Sequence, residues 1–162
     1  NPLVSHRITL IPCLNIDGLI VHQRGNGNGV DLNRNLPTKD WTVESATPRY
    51  FPGPTAASEP ESVALLDFLQ NHCLKFILSL HSWKPLLNTN GDCLKIAQTI
   101  AHTTGYPIEP TIGYPTPGCL GTYAGLDRQC PTLTYEFKKG LSIEAIRDLH
   151  IPAILAGLKL VE

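Results

Sequence analysis

Residues 15–37, NIDGLIVHQRGNGNGVDLNRNLP, set Gly18, Gly25, Gly27 and Gly29 among repeated asparagines. Neither a regular helix nor a regular strand tolerates that density of Gly and Asn. Residues 38–57 continue without periodicity and carry Pro48, Pro52, Gly53 and Pro54. A long internal stretch is thereby committed to ordered loop or a series of tight turns. Loops of this length inside compact domains are usually functional.

Around that stretch, strand and helix patterns alternate. Residues 8–14 (ITLIPCL) read as a buried strand, with Pro12 at its end or edge. Ser58-Glu59-Pro60-Glu61 has the capping-box form, with Ser58 as N-cap of a helix reaching about His72. Lys75–His81 (KFILSLH) reads as a central strand. Asp92 is placed to cap a helix over about 93–104, which Gly105 ends. Residues 106–131 read as loop, and Leu133–Phe137 (LTYEF) as a further strand. Ser142 is placed to cap a last helix to about Leu160, which Pro152 should kink or split. Strands alternating with helices argue an α/β fold with a mostly parallel sheet. Length argues one domain, residues 1–162.

Composition narrows the function classes. Lys+Arg is 13 and Asp+Glu is 14, a net charge of −1. So balanced a chain offers no basic field for nucleic acid or an anionic membrane. No apolar run is long enough for a transmembrane helix. The five cysteines form no CxxC pair. They read as reduced in an intracellular protein, with Cys13 and Cys73 as small buried hydrophobes.

Four clusters can carry chemistry. Arg24 with Asn33-Arg34-Asn35 puts guanidinium and carboxamide groups in one loop, a receptor for a carboxylate; the plain alternative is turn geometry and solvated arginines. His81 ends an apolar strand, as a site residue or as a satisfied core histidine. Glu136 lies inside an apolar strand, where burial would raise its pKa toward that of a useful general base; an outward-facing Glu is the alternative. Tyr114 sits on a Pro/Gly-hinged loop, GYPTPG, as a lid residue or a packing aromatic. His6, His22, His72, His102 and His150 form no HxxH or HxxxH pattern and read as surface or structural.

In this order the clusters resemble the zinc metallocarboxypeptidase family of carboxypeptidase A. The matching residues are Asn15-Ile16-Asp17-Gly18, Arg24, Gly29-Val30-Asp31-Leu32-Asn33-Arg34-Asn35, Ser58-Glu59-Pro60-Glu61, Ser79-Leu80-His81-Ser82, Tyr114 and Glu136. Ile16 stands where the family has Pro. GVDLNRNLP, SEPE and GYPTPGCLGTYAG are most similar to the branch of bacterial murein peptide amidases. The resemblance implies a mixed, mostly parallel twisted sheet with helices on both faces. It implies one zinc ion with His81 as a ligand, Glu136 as general base and Arg24 on the oxyanion. Asn33 and Arg34 would grip the substrate carboxylate, and Tyr114 would close over it. Side-chain preference would be set near Leu120–Gly121. The implied reaction is hydrolysis of an amide bond beside a terminal carboxylate, on a peptide or the γ-D-glutamyl-diaminopimelate bond of murein peptides, in the cytoplasm. The family's His-x-x-Glu ligand pair occurs nowhere in the 162 residues. By family order it should precede Asn1, so the chain resembles the C-terminal two-thirds of the catalytic domain and is expected to be inactive alone. An N-acyl amino acid deacylase of the aspartoacylase type and an inactive peptide-binding pseudoenzyme are the competing readings.

Overall fold

The computed structural model describes residues 7–161. They form two compact units. A sheet unit comprises residues 7–8, Lys75–Tyr114 and 124–161; a loop unit comprises Thr9–Leu74 and Pro115–Tyr123.

The sheet unit is built on four strands: β1 (Ile77–Trp83), β2 (Leu86–Asn90), β3 (Ile108–Glu109) and β4 (Thr132–Lys138). Their spatial order is β1-β4-β2-β3. The β1–β4 and β2–β3 pairs are parallel, and β2–β4 is antiparallel. The mixed, mostly parallel α/β sheet expected from the sequence is therefore present. Its register sorts side chains by period two. Leu78, Leu87, Leu133, Tyr135 and Phe137 line one face, against Ile96, Ala97 and Ile100 of α3 (Leu94–Thr104) and Ala153 of α5 (Ile151–Leu158). Gly157 lets α5 approach closely, since a Cβ there would lie 3.0 Å from Ile100. The opposite face is polar: Ser79 and His81 on β1, Thr134 and Glu136 on β4, Asn88 and Asn90 on β2.

Several boundaries differ from expectation. β1 is an edge strand among the described residues, not a central one, with Leu80 exposed. β2 carries no strand signal in the sequence, because Asn88 and Asn90 interrupt its apolar pattern. Both are buried; Asn90 Nδ2 donates to Asn88 Oδ1 at 2.9 Å, and Asn88 Nδ2 to the Glu109 carbonyl at 3.1 Å. Residues 106–131 hold β3 and a π-helical turn, Gly121–Leu126, rather than loop alone. α3 has Cys93, not Asp92, as its N-cap, and Gly105 ends it in the left-handed conformation as expected. The last helix is split: α4 (Ile143–Ala145), a π-helical turn Ile146–His150, then α5, with Pro152 in the first turn of α5 where its missing N–H is tolerated. Ser142 caps α4 through the Ala145 N–H at 3.2 Å.

The expected strand at 8–14 does not form. Residues 7–12 are exposed and irregular; Leu10 is 81% exposed. A β-branched run becomes a strand only when a neighbour takes up its N–H and C=O groups, and none of the four strands pairs with it. The Gly/Asn-rich stretch is a chain of tight turns holding α1 (Ile16–Ile20) and one 3₁₀ turn, Leu32–Arg34. Asn15 caps α1 by accepting the Gly18 N–H at 2.9 Å. The next helix, α2, spans Pro60–Asn71 with Glu59, not Ser58, as N-cap. The capping box is replaced by a buried network, because Ser58 Oγ donates to Glu59 Oε1 at 2.6 Å instead of receiving a helix N–H. Asn26 and Asn28 each donate to Glu59 Oε2 at 2.8 Å. Cys73 is exposed and Cys13 half-buried, not core residues as expected. His6 lies outside the described residues.

Candidate functional site

The loop unit gathers Arg24, Asn33 and Arg34 around Asp31. Arg24 Nε donates to Asp31 Oδ2 at 2.6 Å, which leaves both terminal amino groups of Arg24 out of that pair. Asp31 Oδ1 accepts the Asn33 N–H at 3.1 Å and so caps the 3₁₀ turn. Asn33 Oδ1 accepts the Leu120 N–H at 2.9 Å, which fixes the carboxamide and presents its NH₂ outward from that bond.

Arg34 is only 6% exposed. Its NH1 donates to the Asn33 carbonyl at 2.6 Å, and no carboxylate among the described residues pairs with it. A buried guanidinium normally carries a counter-ion. The turn geometry offered as the plain alternative thus coexists with an uncompensated buried cation. Tyr50 lies beside both arginines, its ring centroid 4.9 Å from the Arg24 guanidinium carbon and 5.5 Å from that of Arg34. The sequence alone does not single out Tyr50 or Asp31. Tyr50 lies in an aperiodic stretch with no local signal, and Asp31 was visible only as part of GVDLNRN.

In the sheet unit, His81 and Glu136 are register partners across β1 and β4. Both side chains leave the polar face. His81 is half-buried, and its Nε2 lies 2.9 Å from Ser79 Oγ. Glu136 is 7% exposed, so it is an inward carboxylate and not an outward one. Tyr114 is 40% exposed and stands edge-on to Trp83, the last residue of β1, with centroids 5.8 Å apart. Lys84 Nζ lies 4.5 Å from the Trp83 ring centroid.

The sequence matches the zinc carboxypeptidase family, peptidase M14, over residues 2–140. The chain belongs to that family. It is 29% identical to murein peptide amidase A of Vibrio campbellii over 162 residues, covering 93% of this chain and 64% of the relative. It is 30% identical to murein peptide amidase A of Escherichia coli over 161 residues, covering 88% and 62%. Its fold matches the crystal structure of murein-tripeptide amidase from Escherichia coli O157 with a TM-score of 0.75 at 27% identity, over 90% of this chain and 65% of that one. Bovine thrombin-activatable fibrinolysis inhibitor, solved with a tick carboxypeptidase inhibitor, shares the fold at a TM-score of 0.71 and 23% identity, over 93% and 66%. The chain thus spans just under two thirds of the length of the amidases it matches.

Family membership implies zinc. A catalytic zinc takes three protein ligands and a water. Among the described residues no three His, Cys, Asp or Glu side chains gather to hold a metal. His81 is the one ligand the resemblance assigns, so the described donor set does not by itself fit the ion.

Proposed function

We propose that this chain carries catalytic and substrate-binding residues of a peptidase or amidase that cleaves an amide bond beside a terminal carboxylate. The observation that carries the reading is the buried Arg34 guanidinium, which has no carboxylate partner among the described residues, next to the Asn33 carboxamide. A substrate carboxylate supplies the missing charge and accepts two parallel N–H bonds. Arg24, steered by Asp31, has terminal N–H groups for the oxygen that becomes negative as the amide carbonyl is attacked. Glu136 takes the proton of the attacking water and returns it to the leaving amine. Tyr114 closes over bound substrate from its exposed position. The likeness to murein peptide amidases supports a murein peptide as substrate; cleavage between γ-D-glutamate and diaminopimelate, in the cytoplasm, belongs to the same proposal.

The test is Arg34→Lys, assayed in any form of the protein that hydrolyses an amide. Lys keeps the charge and loses the bidentate geometry. Free-acid substrates should lose about 1.5–3 kcal/mol in kcat/KM, the usual worth of a charge-assisted hydrogen bond. Amidated substrates should change little. Equal losses on both would remove Arg34 from carboxylate recognition.

A further inference from the structure

Arg24 and Arg34 are both held near a single aromatic ring in the loop unit, and among the described residues only Arg24 of the two has an acidic partner. Two guanidinium groups so close to one centroid repel each other, and one of them is nearly sealed from water. A second carboxylate beside Arg34 would relieve the repulsion. It would also occupy the N–H groups that a ligand needs. A ring face solves this differently. Its negative quadrupole attracts the guanidinium without accepting its N–H bonds, so the donor edge stays available.

The ring's place is built into the backbone. The Asp31 N–H donates to the Phe51 carbonyl at 2.8 Å. Asn35 Nδ2 donates to the Pro52 carbonyl, also at 2.8 Å. Residues on either side of Arg34 in the GVDLNRN block are thereby stapled to the two residues that follow Tyr50. The short 3₁₀ turn Pro48–Tyr50, closed by the Tyr50 N–H on the Thr47 carbonyl at 3.0 Å, delivers the side chain.

We infer that Tyr50 is a positioning residue for the carboxylate receptor: its ring face holds Arg24 and Arg34 together and orients Arg34 while leaving the guanidinium edge open to an anion. This rests on the carboxylate reading of Arg34 above and names the residue that makes that reading workable.

The probe is N-acetylglycine, with N-acetylglycinamide as the uncharged control, titrated into the full chain. The wild-type chain should bind the acid in preference to the amide. Tyr50→Leu should weaken acid binding by about three- to thirtyfold, the range of a partly desolvated cation–π contact, and leave amide binding unchanged. Tyr50→Phe keeps the ring face and should stay within about twofold of wild type. A fluorinated phenylalanine at position 50 keeps the shape but withdraws the ring's negative face, and should behave like the Leu variant. A merely space-filling ring would not respond to fluorination. Should Tyr50→Leu lose its fold, the comparison of Phe with fluorinated Phe decides alone. Acid preference that survives Tyr50→Leu, or is indifferent to fluorination, overturns the inference and leaves the carboxylate reading standing. A wild-type chain with no acid preference overturns the carboxylate reading and takes this inference with it.

Discussion

His81 and Glu136 are aligned across the parallel β1–β4 pair, at the same level of the sheet and on the same polar face. The alternation that puts Tyr135 into the α3–α5 core puts Glu136 on the other side. One strand therefore serves the core with its odd-numbered residues and turns Glu136, the proposed base, to the opposite face. A one-residue slip of β4 would move the carboxylate among apolar Leu87, Ile96 and Ile100 and turn Tyr135 to the polar face.

Glu136→Gln removes the base while keeping the shape and the register. In any form of the protein that hydrolyses an amide, kcat should fall about 10²–10⁴-fold, the usual contribution of a general base. Substrate affinity should stay near wild type, because the proposed carboxylate contacts lie in the loop unit. A variant keeping more than a third of wild-type kcat would take Glu136 out of the mechanism.

The 162-residue chain itself should not retain stoichiometric zinc after dialysis against a modest chelator. A lone imidazole cannot supply a three-ligand site, and residues 7–161 gather no such set. Metal analysis of the dialysed protein checks this. One equivalent of zinc retained, with hydrolysis of a peptide, would mean that the remaining ligands lie within the chain.

What was legible in the sequence follows from how far each signal reaches. β4 and α3 are strongly patterned, and Gly105 marks a helix end through a local backbone requirement, so these appear where expected. The site residues were legible as an ordered set of family motifs, not one by one. The failures are all non-local. The run at 8–14 has strand composition but no strand beside it. β2 hides because its asparagines satisfy one another and the Glu109 carbonyl. Ser58 looks like a cap, yet Glu59, Asn26, Asn28 and Asn35 compete for the same local donors and acceptors from distant loops. Tyr50 matters only through two arginines brought to it by folding.

Gly118 is required by that folding. Its φ is +73°, and a Cβ there would lie 2.5 Å from the Arg34 carbonyl carbon and 2.9 Å from Trp41 Cδ1. Gly118 also accepts the Leu36 N–H and donates to Thr38 Oγ1, so the loop cannot easily withdraw. Gly118→Ala should cost about 2–4 kcal/mol, combining left-handed strain with overpacking. Gly113→Ala is the control. Its φ is +94° but nothing lies within 4 Å of the added methyl, so strain alone should cost less. Urea denaturation of the two variants checks the order. Equal losses would mean that the Arg34 carbonyl yields freely.

The pH dependence of stability should separate into two windows. His150 is buried among Tyr106, Tyr135 and Phe137, and its Nδ1 lies 2.5 Å from the Tyr135 hydroxyl. Burial holds the histidine's pKa below its ordinary 6.5 and pushes that of Tyr135 up. The imidazole is therefore neutral near pH 7. A neutral buried His binds its proton more readily when unfolded, so stability falls as pH drops below about 6.5 and the loss is complete below the folded pKa. Glu59 behaves differently. Burial alone would raise its pKa, but bonds from Ser58, Asn26 and Asn28 outweigh that and hold it below the ordinary 4.5. Its contribution is present above pH 4.5 and is lost as pH falls through its folded value. Unfolding free energies measured from pH 8 to pH 3 should thus decline in two stages. His150→Gln should flatten the upper stage and leave the lower one. Glu59→Gln, which puts a donor where three donors already converge, should shrink the lower stage and lower stability at neutral pH. An upper stage that persists in His150→Gln would place that titration elsewhere in the chain.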